Sequence, residues 1–248
     1  MLSRKQFTLY THKTGVNGWK VALLLEELGL YGKTELKYLE VDDNKNEVKA
    51  SPHIDLNPNG RIPTLVDHSN NDFVIWESCA ILLYLVEKYD KGGGFTVSDH
   101  NEKYKQLQWL FFQASGQGPY FGQISHFLFA HPVIVPTAVQ RYQDEIKRVI
   151  GVLECVMSEQ EWLVAGKFTI VDIALFPWHD AAIQYYLPPG TYDLAKEAPH
   201  VNAWYKMMLE RPSVKKVWGQ RDGFLQESPF KEGLAAAHQR VAEAANQK

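Results

Sequence analysis

An α/β layer followed by an all-α domain is the fold class this sequence predicts, and two observations predict it. Over residues 1–90, short apolar runs alternate with helical periods in the order β-α-β-α-β-β-α, which calls for a mixed sheet flanked by helices. Beyond Asn101, long helical patterns rich in aromatics take over (Trp109, Phe111, Phe112, Tyr120, Phe121, Phe127, Phe129). The run Lys91-Gly92-Gly93-Gly94 breaks the two regimes apart. The expected organisation is an α/β domain over 1–90, a linker over 91–100 and a helical domain over 101–248.

Each element has a local warrant. Phe7, Leu9 and their neighbours form a short β-prone run. Asn17-Gly18 then leads into WKVALLLEELGL, where Val21, Leu24, Leu25 and Leu28 keep a helical period and Gly29 supplies the stop. Glu35 to Asp42 reads as a second strand and Asn46 to Ala50 as a weak helix. Thr64–Asp67 and Phe73–Trp76 read as strands joined through His68-Ser69-Asn70-Asn71-Asp72, a hairpin connection. Glu77 to Tyr89 closes the layer as a helix. The Ala-rich ending EGLAAAHQRVAEAANQK reads as a helical or frayed tail.

Bulk properties exclude several functions. The chain has 248 residues, 45% hydrophobic and 22% charged, with a formal net charge of −3. No basic run tracks a phosphate backbone, so neither nucleic acid nor a membrane surface is an expected partner. The start, MLSRKQFTLYTHK, enters a strand almost at once without an apolar leader, and no window is long enough to cross a bilayer. The two cysteines, Cys79 and Cys155, form no CxxC, and the nine histidines form no HExxH, so no metal site and a reducing, cytoplasmic compartment are expected.

The stretch from Asn57 to Leu83 is the most informative. In NPNGRIPTLVD a proline precedes an apolar strand, and in WESCAILLYL Glu77 and Ser78 open an apolar helix. That order places a bare backbone edge beside a helix N-terminus carrying one carboxylate and one hydroxyl, a corner suited to a peptide with a free amino acid end. The competing reading is that Glu77 and Ser78 only cap the helix, and that Asn17 only caps the first one. Thr169-Ile170-Val171-Asp172 fits a capping box before an apolar helix, with Asp172 buried. Cys79 and Cys155 read as buried, inert packing.

Five motifs in order resemble the cytosolic glutathione transferases: YTHKTGVNGWKVALLLEELGL, NPNGRIPTLVD, WESCAILLYL, FTIVDIALFPW and RPSVKKV. NGWKVALLLEELG, VIWESCAILLYLVEKY and WLFFQASGQGPYFGQISHF are similar to the fungal class that includes the yeast nitrogen regulator, and more distantly to the bacterial nu class. The resemblance implies a thioredoxin-like first domain binding glutathione as co-substrate. Glu77 would take the γ-glutamyl ammonium and Ser78 its carboxylate. A cis Pro63 would turn the Ile62 main chain outward to meet the cysteinyl backbone like an added strand. Arg61 and Lys49 would reach the glycine carboxylate, with His53 a weaker rival.

At the thiol the resemblance implies Asn17, whose amide can donate to sulfur, with Thr14 second and Tyr10 third. The turn holds no Cys, which argues against a mixed disulfide on the protein. The second substrate would meet Gln117, Tyr120, Phe121, Ser125 and His126, on the segment that faces glutathione in relatives. Relatives are homodimers. The implied activity is conjugation of glutathione thiolate to small apolar electrophiles in detoxification or secondary metabolism. The alternatives are a glutathione-dependent disulfide reductase or peroxidase, and a non-catalytic regulator or ligand carrier.

Overall fold

The computed structural model describes residues 4–41, 45–227 and 230–246. The chain forms two compact units. One runs to Thr96 and takes in Pro212–Phe224; the other comprises Val97–Arg211 and the chain from Leu225.

In the first unit, β1 (Phe7–Thr11) lies at the centre of a mixed sheet. It pairs in parallel with β2 (Thr34–Tyr38) and antiparallel with β3 (Thr64–Asp67), which pairs antiparallel with β4 (Phe73–Trp76). All five residues of β1 are buried, as expected of a strand covered on both faces. Helices α1 (Val16–Glu27) and α3 (Ser78–Tyr89) pack on one another, burying Val21, Leu24 and Leu25 against Ile81, Leu82 and Leu85. Gly29 follows α1 with φ +68, a left-handed stop that glycine adopts without penalty.

Two elements are shorter than their sequence pattern. β2 ends at Tyr38, because the chain leaves the sheet after the Leu39 N–H bonds Thr11 O; the expected end, Asp42, lies outside the described residues. The helix expected at Asn46–Ala50 is one 3-10 turn, Glu47–Lys49, followed by a four-residue α2 (His53–Leu56). In the hairpin, Asn71 and Asp72 take left-handed φ values of 54° and 57°, which short polar side chains tolerate. Asp67 anchors this hairpin. Its buried carboxylate accepts from Tyr84 Oη (2.6 Å), Tyr89 Oη, and both the N–H and hydroxyl of Ser69.

Pro212–Phe224, sequence that the expected boundaries put among the helices, packs with the α/β unit instead. It is the first part of α10 (Pro212–Gln226). Lys216 pairs with Glu26 (2.8 Å), Gln220 bridges Tyr31 and Tyr38, and the Phe224 ring meets Trp19 and Tyr38.

The second unit contains α4 (His100–Phe112), α5 (Gly118–Ser125), α6 (Pro136–Met157), α7 (Ile170–Ala181), α8 (Leu194–Glu197), α9 (Pro199–Glu210) and α11 (Phe230–Asn246). Gln113–Gln117, His126–Ala130 and Ala182–Tyr186 are π-helical continuations of α4, α5 and α7. Every residue of α7 is buried. The capping box is formed as expected: Asp172 is 0% exposed and accepts from Thr169 N (2.9 Å) and Trp204 Nε1 (3.1 Å). Burial pushes its carboxyl up to about 6, against the pull of those hydrogen bonds. Cys155 corrects an expectation: it is exposed, because it falls off the α6 stripe of Ile146, Val149, Ile150, Leu153 and Met157. Among the described residues no helix is long and apolar enough to cross a membrane.

Candidate functional site

The loop from Asn57 to Pro63 is built by one side chain. Asn57 is buried; its Oδ1 accepts from Asn59 N (3.0 Å), and its Nδ2 donates to Arg61 O (2.8 Å) and Thr64 Oγ1 (3.0 Å). Gly60, at φ +57, completes the turn with its N–H on Asn57 O. Thr64 Oγ1 lies 3.0 Å from His53 Nε2, while His53 Nδ1 lies 2.9 Å from Val48 O. With both ring nitrogens engaged and 1% exposure, His53 is structural and no rival for a carboxylate. The Ile62–Pro63 bond is cis, and among the described residues the Ile62 main chain carries no hydrogen bond. Lys49 lies along Gly60 with its ammonium on Asn59 O (2.9 Å); Arg61 is exposed.

At the next corner, Glu77 precedes α3 with φ +69 and ψ 113, and makes no cap hydrogen bond. The capping alternative therefore fails for Glu77. Such a conformation costs roughly 1–3 kcal/mol in a residue with a Cβ, and it leaves the carboxylate exposed. Ser78 opens the helix, 8% exposed, and its Oγ accepts from Lys20 Nζ at 3.4 Å. Lys20 is 1% exposed, and burial pushes its ammonium down to about 8, with Cys79 and Glu77 opposing the fall. Sequence reasoning passed over Lys20. The signal was present, since Lys20 stands four residues before Leu24 on the apolar stripe of α1. Cys79 is half-buried, and burial raises its thiol pKa, as expected of an inert cysteine.

The turn from His12 to Gly18 completes the first unit's candidates. A Cβ at Gly18 would lie 1.8 Å from Thr11 Oγ1, so only glycine lets α1 start this close to the end of β1. A Cβ at Gly15 would meet Ile62 Cδ1 at 3.2 Å and His12 Cβ at 3.3 Å, so the turn touches the proline segment. Asn17 is the second residue of α1; the cap position belongs to Gly15, which removes the capping alternative for Asn17. Thr14 directs both its N–H and its Oγ1 at His12 Nδ1, each at 3.2 Å. From α10, the buried Arg221 donates Nε to Thr14 O (3.3 Å). Tyr10 is placed elsewhere. Its ring packs on His53, lies under Lys37 Nζ, and lines a cavity of about 320 Å³ with Thr8, Glu35 and Val66.

In the helical unit the expected electrophile wall divides. Gln117 and Phe121 are both 0% exposed, and Gln117 donates Nε2 to Leu175 O (3.1 Å). Spaced with Ile124 and Leu128 at helical intervals, they form the inward stripe and offer nothing to a ligand. Tyr120 is half-buried beneath the Arg148 guanidinium and beside Tyr142. Ser125 is half-buried, and His126 is exposed beside Phe127 and His131. Among the described residues no group of three His, Cys, Asp or Glu is placed to hold a metal ion.

Two family models match the chain: the glutathione S-transferase N-terminal domain over residues 5–87 and the C-terminal domain over 123–212. Glutathione S-transferase 2 of Schizosaccharomyces pombe is 46% identical over 218 residues, 84% of this chain and 93% of that protein. The chain belongs to the glutathione S-transferase family. Within that family, Ure2p5 from Phanerochaete chrysosporium, cocrystallised with 1-(S-glutathionyl)-2,4-dinitrobenzene, superposes with a TM-score of 0.81 at 45% identity, covering 90% of this chain and 97% of that one. The transcriptional regulator URE2 of Saccharomyces cerevisiae is 36% identical over 245 residues, 85% of this chain and 67% of the regulator. This member of the family carries Lys20 and His12 inside the segment matched by the N-terminal model. Tyr120 precedes the segment matched by the C-terminal model, and Arg221 follows it.

Proposed function

We propose that the chain binds glutathione and transfers its thiolate to small apolar electrophiles. One observation carries the reading: Ile62, whose main chain is unpaired among the described residues, reaches the start of α1 at Gly15 with its side-chain tip, in the same unit as a left-handed Glu77 whose side chain makes no cap hydrogen bond. Glu77 takes the γ-glutamyl ammonium. Ser78, at the positive end of the α3 dipole, takes the carboxylate, and the buried Lys20 ammonium adds positive charge behind it. Ile62 pairs with the cysteinyl main chain, and Arg61, the looser of the two cations, takes the glycine carboxylate with Lys49 in support. The sulfur then lies at the N-terminal end of α1, where the helix dipole and the Asn17 amide favour thiolate. Tyr120 and His126 remain the candidates of the helical unit for the electrophile. A homodimeric, cytoplasmic protein belongs to the same proposal, with a linker at 91–100 between the 1–90 domain and a helical domain from 101 that gives up Pro212–Phe224 to the first unit.

Relatives support conjugation, since one is crystallised with a glutathionyl aryl conjugate. Purified protein, glutathione and a panel of aryl halide, isothiocyanate and epoxide substrates test it. Conjugation of at least one is the expected result. Tight glutathione binding with no product from any member rejects the reading. Turnover of hydroxyethyl disulfide or cumene hydroperoxide instead supports the reductase or peroxidase alternative. Binding without any turnover supports the regulator alternative, which the similarity to URE2 keeps in view.

A further inference from the structure

We propose that His12 takes up the proton of the glutathione thiol through the Thr14 hydroxyl, the two residues forming a relay beside the start of α1. The proposal rests on the glutathione reading and deepens it by naming what activates the thiol.

The hydrogen-bond geometry sets the direction of the relay. A backbone N–H can only donate, and the Thr14 N–H points at His12 Nδ1 from 3.2 Å. Nδ1 therefore holds a lone pair, and the ring proton sits on Nε2. The same nitrogen lies 3.2 Å from Thr14 Oγ1, so the hydroxyl donates to it as well. With its proton committed to the imidazole, Thr14 offers only oxygen lone pairs outward. Such a hydroxyl cannot donate to a thiolate, but it can accept from an S–H group.

Position supports the same assignment. Gly15, the next residue, fits between His12 Cβ and the tip of Ile62, whose main chain is proposed to hold the cysteinyl residue. Arg221 fixes the Thr14 carbonyl from α10, so the turn is held at both ends of the threonine. The charged groups acting on the imidazole are Glu40, which favours its protonation, and Lys13, which opposes it. Burial outweighs both and keeps the ring below its ordinary value, hence neutral and able to accept at pH 7.

The proton balance closes. The S–H bond breaks and its proton joins Thr14 Oγ1. The original hydroxyl proton crosses to Nδ1, leaving thiolate and imidazolium. The new Nδ1–H opposes the Thr14 N–H, which favours loss of that proton to water from the half-buried ring and return to the neutral Nε2–H form.

His12→Asn separates this from a structural role. Its amide oxygen still accepts from the Thr14 N–H but holds no proton at neutral pH. Thr14→Val removes the hydroxyl, and Thr14→Ser restores it. The readouts are thiolate ultraviolet absorbance of bound glutathione against pH, and the pH profile of kcat/KM for conjugation. S-methylglutathione, which has no thiol, serves as the binding control. Both His12→Asn and Thr14→Val are expected to lower kcat/KM roughly 100-fold and to remove the limb that the imidazole gives its pH profile, with Thr14→Ser close to wild type. The bound thiol's own pKa is expected not to rise, because a hydroxyl that accepts from S–H favours the neutral thiol. S-methylglutathione affinity is expected to stay within about threefold, well below the effect of one charge-assisted bond. An unchanged kcat/KM and pH profile in both variants, with S-methylglutathione still bound, overturns the relay alone. If the wild-type chain binds neither glutathione nor its S-methyl derivative, the glutathione reading falls and takes the relay with it.

Discussion

The corner around Ile62, Glu77 and Asn17 and the helical stretch from Gln113 to Ala130 were both candidate ligand surfaces, and they differ in what holds them. In the first, the backbone departs from what the side chains prefer. Glu77 sits at φ +69 without capping its helix, Gly18 admits no Cβ, and Asn57 ties the loop that carries Ile62. In the second, the backbone is helical throughout, and helical geometry divides the candidates: Gln117 and Phe121 inward, Tyr120 and His126 outward. A residue held against its local preference points to a role that packing does not supply. An aromatic on a helix is already accounted for by packing.

That contrast breaks first, if it breaks, at the largest expected effect. Asp172→Ala strands the Trp204 indole N–H and the Thr169 N–H inside the helical unit, and is expected to cost on the order of 3 kcal/mol in urea unfolding. Its glutathione affinity, measured on protein that remains folded, is expected to be unchanged. Glu77→Gly comes next and runs the other way. Relief of the left-handed φ is expected to raise stability by about 1 kcal/mol, while glutathione affinity falls roughly 10- to 100-fold with the lost carboxylate. Calorimetric titration beside urea unfolding reads both. If Glu77→Gly loses stability and keeps affinity, the corner is ordinary packing and the contrast disappears.

What could be read in the sequence follows the same division. The order of strands and helices, the Gly29 stop and the Thr169–Asp172 capping box were legible, because each is a local event spanning a few residues. The corner residues Ile62, Glu77 and Ser78 were legible because they form contiguous motifs. Lys20, His12 and Arg221 were passed over for a different reason: their meaning lies in partners. Lys20 matters through Ser78, far along the chain, and Arg221 through Thr14, 207 residues away. Periodicity shows that α10 is a helix and leaves open which unit it joins. Cys155 was misread because apolar neighbours in sequence are not neighbours on a helix face.

The smallest expected effect uses two buried aspartates of opposite behaviour, one in each unit. Hydrogen bonds from Tyr84, Tyr89 and Ser69 outweigh burial and hold Asp67 below the usual carboxylate value of 3.8, while burial of Asp172 wins and moves it up to about 6. As pH falls, unfolded chains protonate Asp67 before folded ones do. Its contribution to stability is therefore complete above pH 4 and is lost as pH drops through the folded value. Asp172 acts in the reverse sense: the folded chain binds its proton first, so stability declines as pH rises from about 4 to about 6. One such group alters the slope by at most about 1.4 kcal/mol per pH unit. Urea midpoints from pH 3 to 7 for the wild type and Asp67→Asn are expected to converge toward the acid end, because the asparagine variant has already given up what acid would remove. Parallel curves would mean that the Tyr84 and Tyr89 hydroxyls bind a neutral carboxyl as well as a charged one. The hairpin that delivers β4 to Glu77 would then depend on packing, as the helical unit does, and the difference between the two regions would narrow to the corner alone.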